Sequence, residues 1–480
     1  MFQNMSSKVG RGSTLTLVAV AVVQFMVSLD LSVVNVGLPQ IAAGLGFAGA
    51  SLTWVIHAYA LTFGGLLLLG GKTADALGRR RILLLGIALF GLASLLGGCS
   101  AEPWQLVAAR AAQGVGAAAA APAALALLTT EFPEGRPRVR AFGVWSAVNA
   151  SGGALGVLLG GLLTEFAGWR WVMFVNVPMA LVALALASRI APDQAVRRSR
   201  PDVLGAVLAT AGAGVLVFGV VRTETVGWGS LQTIGTLAAA AAILAAFVLT
   251  ERRTRRDPLV RPGLFRNRSV TGANAYNLLL GAAMAASFYF LSLYLQRVLD
   301  SGPATAGLMF LPFALGVVAG SVLSVRLRRK ITARALLIAG GLLACIGFAW
   351  FALIDAAGSF GADVLGPSVV TSLGFGLALA PVASTATEGV AAHEAGVASG
   401  LLNSSRQLGA ALGLAALGAS AQVRAGSATT TRALTDGYAF GFILCAVLLA
   451  AAVLVALVIL PDAHSVERST ARRVPDEERV

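Results

Sequence analysis

Long apolar runs alternate with short polar gaps along nearly the whole chain. A membrane-spanning helix needs about 20 mostly apolar residues to cross roughly 30 Å of hydrocarbon. Fourteen runs meet that need: residues 14–36, 51–71, 82–100, 104–130, 141–164, 169–189, 203–221, 232–250, 269–295, 303–325, 333–354, 363–388, 397–420 and 437–460. The pattern therefore predicts an all-α integral membrane protein of fourteen spans.

The gaps differ in charge. Twenty-nine of the 36 Lys and Arg residues fall at the N-terminus, in or at the edges of gaps that follow even-numbered spans, or in the C-terminal tail. The opposite side holds only Arg170, Arg222, Arg297, Arg424 and Arg432. Cation-rich loops stay in the cytoplasm, so an even number of spans in the cell inner (cytoplasmic) membrane puts both termini in the cytoplasm. Lys8 and Arg11 precede a long apolar run that superficially resembles a signal peptide, but the run is too long and is read as a retained first span.

Composition agrees. A chain with 57% hydrophobic and 12% charged residues and a mean hydropathy of +0.81 has too little polar surface to coat a soluble globule. The net charge of +14 raises the question of nucleic acid, and Glu251 to Arg268, with seven Arg, is the best patch for it. Each basic cluster abuts the end of a span, so topology explains the charge and no nucleic-acid partner is expected; contact with anionic membrane lipids is a secondary consequence. Cys99, Cys345 and Cys445 sit singly in different spans and read as small buried residues, with no metal site.

The gap from Gly71 to Arg81 reads GKTADALGRRR, and Gly320 to Lys330 reads GSVLSVRLRRK. Aligned on the first glycine, Arg79 and Arg80 match Arg328 and Arg329, while Asp75 and Gly78 give way to Ser324 and Leu327. Each segment follows the second span of a six-span block, which divides the chain into an N-terminal bundle 1–190, two extra spans with basic loops in 191–268, a C-terminal bundle 269–460 and a tail 461–480. Paired repeats are a recurrent transporter design, with substrate held between them near the midplane.

With these motifs the chain resembles the major facilitator superfamily and, within it, the fourteen-span drug:proton antiporters. The resemblance rests on LDLSVVNVGLP from Leu29 to Pro39, the Gly71 to Arg81 loop (departing at Ala76), Arg110, Gln113 and Gly114 in span four, Gly143, Gly152, Gly156, Gly160 and Gly161 in span five (with Val157 where Pro is usual), WRWVMFVNVP from Trp169 to Pro178, and Leu295, Gln296, Pro303, Gly307 and Pro312. It implies alternating-access export of hydrophobic or cationic drugs in exchange for protons, with no cofactor and no enzymatic chemistry. A facilitator or importer of a small metabolite, or a membrane sensor that binds without transporting, are the rival readings. Oligomeric state is left open, a monomer being compatible.

Asp30 is the sharpest site, because an acid within a span costs about 2.5–3.5 kcal/mol on insertion scales and is retained for a function or a partner. By helical rise it shares a depth with Arg110 and His57. Two readings of Asp30 and Arg110 stand: a permanent ion pair that fixes packing, or a proton-coupling pair broken in one conformation. His57 is equally compatible with a proton relay and with a polar packing contact. At 100° per residue Gln24, Ser28 and Asn35 share one face of span one, and Asp30 lies about 200° away. Those three, with Gln113, Asn149, Asn277 and Arg406, are candidates for a substrate cavity. Tyr276, Ser287, Phe290 and Tyr294 form a stripe on span nine that suits stacking on flat ligands, although packing explains Phe290 as well. Asp75, with Gly71, Gly78, Arg79 and Arg80, is read as a conformational latch, its carboxylate bonding a neighbouring helix N-terminus while the Arg residues hold acids. Gly152, Gly156 and Gly160 allow a close, sliding helix contact.

Two nucleotide-site lookalikes fail. Gly71, Lys72 and Thr73 lack the earlier glycine of a phosphate loop, since position 66 is Leu, and Gly114, Gly116 and Ala119 lie inside a span with no strand before them.

Overall fold

The structure, a computed structural model, describes residues 11–47, 49–132, 136–190, 202–253, 262–328, 330–390, 395–426 and 430–461. Lys8, the linker 191–201, the basic stretch 254–261, Arg329 and the tail 462–480 lie outside the described residues. All regular structure among the described residues is helical.

The helices are α1 (Arg11–Leu45), α2 (Trp54–Leu77), α3 (Arg79–Gly98), α4 (Pro103–Glu131), α5 (Arg136–Phe166), α6 (Trp171–Phe174), α7 (Asn176–Ala187), α8 (Val203–Val226), α9 (Leu231–Arg253), α10 (Arg268–Leu293), α11 (Pro303–Met309), α12 (Leu311–Leu327), α13 (Ala333–Phe351), α14 (Gly366–Ala386), α15 (Ala395–Ala425) and α16 (Thr431–Val458). Among the described residues, twelve segments are long and apolar enough to cross a membrane. Two shorter apolar stretches, Ser151–Phe166 and Trp171–Ala187, occupy the expected fifth and sixth positions. Length and composition thus support twelve spans where the sequence pattern suggested fourteen.

The helix ends have local causes. Gly78, at φ 101°, separates α2 from α3 in a backbone region that side-chain-bearing residues avoid. Asp202, Thr332 and Thr430 cap α8, α13 and α16 by accepting from the amides of Gly205, Ala335 and Ala433. Ahead of α4, Gln105 reaches back to the backbone amides of Ala101 and Glu102. Helix α1 runs through Pro39 to Leu45, two turns past the expected boundary, so Asp30 lies near the middle of the helix.

Packing repeats along the chain. In the first part α1 lies on α5 and α7, α4 on α2 and α3, and α3 on α7; in the last part α10 lies on α15 and α16, α14 on α12 and α13, and α13 on α16. One hydrophobic core fills the first part and another the last part, the second reaching Val36 of α1 and Val157 of α5. They meet where α2 packs on α15 and α5 on α11. Helices α8 and α9 pack on each other, and α8 covers the seam between α2 and α15.

The repeat also appears in side chains, with a register the sequence alignment missed. Arg80, the second residue of α3, donates to the carbonyls of Ala187 and Ser188 at the end of α7. Arg334, the second residue of α13, does the same for Ala456 and Leu457 at the end of α16. The structural counterpart of Arg80 is therefore Arg334, not Arg329. A guanidinium on unsatisfied C-terminal carbonyls is favoured by both hydrogen bonding and the helix dipole.

Candidate functional site

Asp30 lies in the wall of α1 turned toward α4 and α7, with no solvent exposure. Its Oδ2 accepts from Arg110 Nη1 at 2.6 Å, and its Oδ1 accepts from Gln113 Nε2 at 3.2 Å and from Asn176 Nδ2 at 2.8 Å. Arg110 also donates from Nη1 to Gln113 Oε1 at 2.9 Å and from Nε to the Val55 carbonyl at 3.0 Å, with its guanidinium 4.5 Å from the Tyr59 ring centre. Gln113 donates onward to Ser94 Oγ at 2.6 Å. Five helices thus contribute to one dry network.

A buried ion pair survives only when further hydrogen bonds satisfy both charges, which this network supplies. Its parts have separate origins. Arg110 and Gln113 are three apart and so share a face of α4, and the break at Val175 between α6 and α7 puts Asn176 at the first turn of α7. Sequence reasoning missed Asn176, Ser94 and Tyr59 as partners; Asn176 was visible only as one letter of the Trp169 to Pro178 motif.

His57 is not part of this network. Val55 and Tyr59 of α2 meet Arg110, whereas His57 stands between them in sequence and so on the other side of the helix. There it packs edge-on against Trp54, whose ring also meets Phe218 of α8. It is fully buried, and both ring nitrogens lack a hydrogen-bond partner. Its depth matches that of Asp30, but its direction does not.

The opposite side of α1 is polar and uncharged. Gln24 Nε2 donates to Asn149 Oδ1 at 2.7 Å and to Ser28 Oγ at 2.9 Å, and Ser28 Oγ donates to Asn149 Oδ1 at 2.5 Å. Asn35 bonds the Leu31 carbonyl on the same helix. The face arithmetic for α1 thus matches the geometry: Gln24, Ser28 and Asn35 point away from the Asp30 network.

The span-nine stripe is a correction. Tyr276 donates to the Leu337 carbonyl and Tyr294 to the Asp355 carbonyl, and Phe290 packs on Tyr438 and Phe442, so all three are core of the last part rather than cavity wall. Ser287 is buried and bonds Met284 on its own helix. The aromatic residue of α10 that reaches the first part is Tyr289, packed on the cluster around Leu29. Grouping by angle was sound; periodicity alone does not say which face of a helix is core. Asn277 is likewise buried, donating to the Leu402 carbonyl at 2.7 Å and to Ser405 Oγ at 3.4 Å. Arg406 keeps partial exposure and donates to Asn403 Oδ1 at 3.4 Å.

Among the described residues, the bond from Asp75 to the backbone amides of a neighbouring helix N-terminus is not made in this conformation. Asp75 accepts from Arg79 Nε at 3.1 Å and Nη2 at 3.0 Å, an exposed pair four residues apart, and does not cap a neighbouring helix. Arg80 donates to the carbonyls of Ala187 and Ser188. Gly71 leaves ordinary contact space toward Pro122. The glycines of α5 do sit in a close contact: a Cβ on Gly152 would lie 2.8 Å from Ser28 Cβ, on Gly156 2.8 Å from the Leu29 carbonyl oxygen, and on Gly160 2.6 Å from that of Val33. Helix α15 repeats this against α10, where a Cβ on Gly409 would meet the Leu278 carbonyl oxygen and one on Gly413 would meet Ala282.

At the end remote from the basic loops, four hydrogen bonds join the first and last parts. Gln296 Nε2 donates to the Val36 carbonyl at 3.0 Å, Gln40 Nε2 to Gln296 Oε1 at 3.0 Å and Ser292 Oγ to the Asn35 carbonyl at 2.9 Å, while the Ala304 amide donates to Glu165 Oε2 at 2.7 Å.

Two packed helical repeats, the first with a buried ionic network inside it, are the architecture of a membrane transporter. Residues 20–414 match the Major Facilitator Superfamily, and the chain belongs to that family. It is 45% identical over 421 residues to the cephamycin export protein CmcT of Amycolatopsis lactamdurans, covering 86% of this chain and 87% of that one. It is 43% identical to the puromycin resistance protein pur8 of Streptomyces alboniger (89% and 86% covered) and 36% identical to a lincomycin resistance protein of Streptomyces lincolnensis (94% and 92%). Among solved structures it shares its fold with a proton-dependent oligopeptide transporter at a TM-score of 0.68 and 16% identity, over 93% of this chain and 99% of the other. The protein is a transporter and not an enzyme.

Proposed function

We propose that this chain exports small, largely hydrophobic antibiotic-like molecules across the cytoplasmic membrane in exchange for protons. The observation that carries the proton half is the Asp30 network: a carboxylate within a span, wholly buried and held by Arg110, Gln113 and Asn176. In this conformation the pair is closed, so the proton is taken up in another conformation, where the contact between Asp30 and Arg110 opens. Relatives named for antibiotic export and resistance support the substrate half.

The architecture we propose has fourteen spans, with α5 and the broken α6–α7 pair crossing the membrane as well as the twelve longer segments, and both termini cytoplasmic. Residues 1–190 and 269–460 rock as two bundles, and 191–268 carries the α8–α9 hairpin. The four bonds from Val36, Gln40, Asn35 and Glu165 then form the closed external gate of an inward-facing state. Helix α5 slides on α1, and α15 on α10, along their glycines. One proton entering supplies about 2.3 kcal/mol per 100 mV and about 1.4 kcal/mol per pH unit, enough to hold a neutral substrate at a gradient of a few hundred-fold.

The test is a panel of dyes and antibiotics in reconstituted vesicles with an imposed pH gradient. Export requires accumulation that follows the gradient and stops with a protonophore. Transport indifferent to protonophores points to a facilitator, and saturable binding with no flux points to a sensor; either outcome refutes the proposal.

A further inference from the structure

Asp30, Arg110 and Arg406 are the charged residues that the sequence places well inside the spans; the others lie at or near helix ends. Among the described residues the ion pairs are Arg79 with Asp75 and Arg110 with Asp30. In this conformation Asp30 is thus paired with Arg110, and among the described residues Arg406 is the charge well inside a span that has no ionic partner. An ionisable group inside a membrane protein marks a substrate or ion pathway and calls for a counter-charge.

Helix α15 shows where that charge points. Leu402, Ser405, Gly409 and Gly413 meet α10, Gly400 and Gln407 meet α2, and Leu408, Leu412 and Ala415 meet α8. At 100° per residue Ser399, Asn403, Arg406 and Ala410 fall within about 60° of one another, between the α10 and α2 faces and opposite the α8 face. Because α8 covers the outside of the α2–α15 seam, the Arg406 face looks into the space between the two parts. Gly281 makes room for its stem, since a Cβ there would lie 3.0 Å from Arg406 Cγ.

We infer that the transported species is an organic anion whose carboxylate pairs with Arg406. A guanidinium presents a planar fork of N–H donors that matches a carboxylate, and an unneutralised interior cation repels the cationic drugs that the sequence suggested. The inference rests on the export reading and narrows it. Exchange of one proton inward for one monoanion outward moves charge twice in the same direction, so an inside-negative potential alone drives it.

The experiment compares benzylpenicillin with its methyl ester, a pair differing by the negative charge, in calorimetric titrations of the purified full chain. The acid is expected to bind the unaltered protein about tenfold more tightly or better, with the preference lost in Arg406→Gln and partly kept in Arg406→Lys. Equal binding of acid and ester, absence of acid binding, or an unchanged preference in Arg406→Gln overturns the inference. So does a preference abolished by exchanging gluconate for chloride, which makes Arg406 an inorganic-anion site. The acid–ester contrast needs no variant, so misfolding of Arg406→Gln does not rescue the idea. In vesicles, pH-driven export of ethidium but not of carboxyfluorescein sinks the anion inference alone; export of neither, nor of the ester, sinks the export reading itself.

Discussion

Breaking the Asp30–Arg110 pair from one side and then from both tests whether this network is a true buried ion pair. Arg110→Met leaves a fully buried carboxylate with only the Gln113 and Asn176 amides. Stranding one member of such a pair costs about 3–5 kcal/mol, and this variant belongs at the upper end. Asp30→Asn strands the guanidinium, but the new side-chain oxygen still accepts a bond, and the Val55 carbonyl and the Tyr59 ring 4.5 Å away remain. The cation–π contact alone retains about 0.5–2 kcal/mol, so the loss belongs near 3 kcal/mol or below. Asp30→Asn combined with Arg110→Met removes both charges and is expected to cost less than Arg110→Met alone, giving a coupling energy of about 2–4 kcal/mol. Unfolding of the purified protein in mixed micelles of increasing SDS fraction, followed by tryptophan fluorescence, measures all three. Additive effects below about 1 kcal/mol each would refute the reasoning, because a sealed pair cannot be lost without such a penalty.

Further outcomes follow from the same contacts. Gly156→Ala or Gly160→Ala forces α5 away from α1 and should cost about 1–3 kcal/mol and slow transport, whereas Gly143→Ala, with nothing within 4 Å, should behave as the unaltered protein in the same assays. Asn176→Leu removes a donor to Asp30 and should destabilise by about 1–3 kcal/mol while lowering proton-driven efflux; an unchanged efflux rate argues that Asn176 only packs. Asp75→Asn breaks an exposed pair worth about 0.3–0.5 kcal/mol and should leave the melting curve essentially unmoved. Linking Gln40→Cys to Gln296→Cys with a short thiol reagent, in a background lacking Cys99, Cys345 and Cys445, should stop transport until the link is cleaved, and continued turnover would remove these residues from the gate.

Much of this molecule was legible before any coordinates. The spacing of apolar runs gave nearly every helix, because hydrocarbon thickness leaves little freedom in their length, and the angular separation of Asp30 from Gln24, Ser28 and Asn35 held because helical periodicity is rigid. Depth arithmetic brought Asp30 and Arg110 to one level, yet it could not separate them from His57, whose direction depends on which neighbour α2 turns toward. The same ambiguity misassigned Tyr276, Phe290 and Tyr294: in a membrane bundle, core and cavity faces are both apolar. Asn176 and Ser94 escaped notice because an uncharged side chain in a span carries little signal until its partner is known. The repeat was detectable at Gly71 and Gly320, but its register was not, since Arg80 and Arg334 are defined by the helix ends they cap.

The central claim is that Asp30 carries the exchanged proton, and the most direct measurement is luminal pH in reconstituted vesicles during substrate transport, compared between the unaltered protein and Asp30→Asn. The account expects a proton flux tied to substrate flux in the first, and in the second, folded and still able to bind substrate, no coupled proton movement and no accumulation against a gradient. Coupled proton flux of normal size in Asp30→Asn would contradict it.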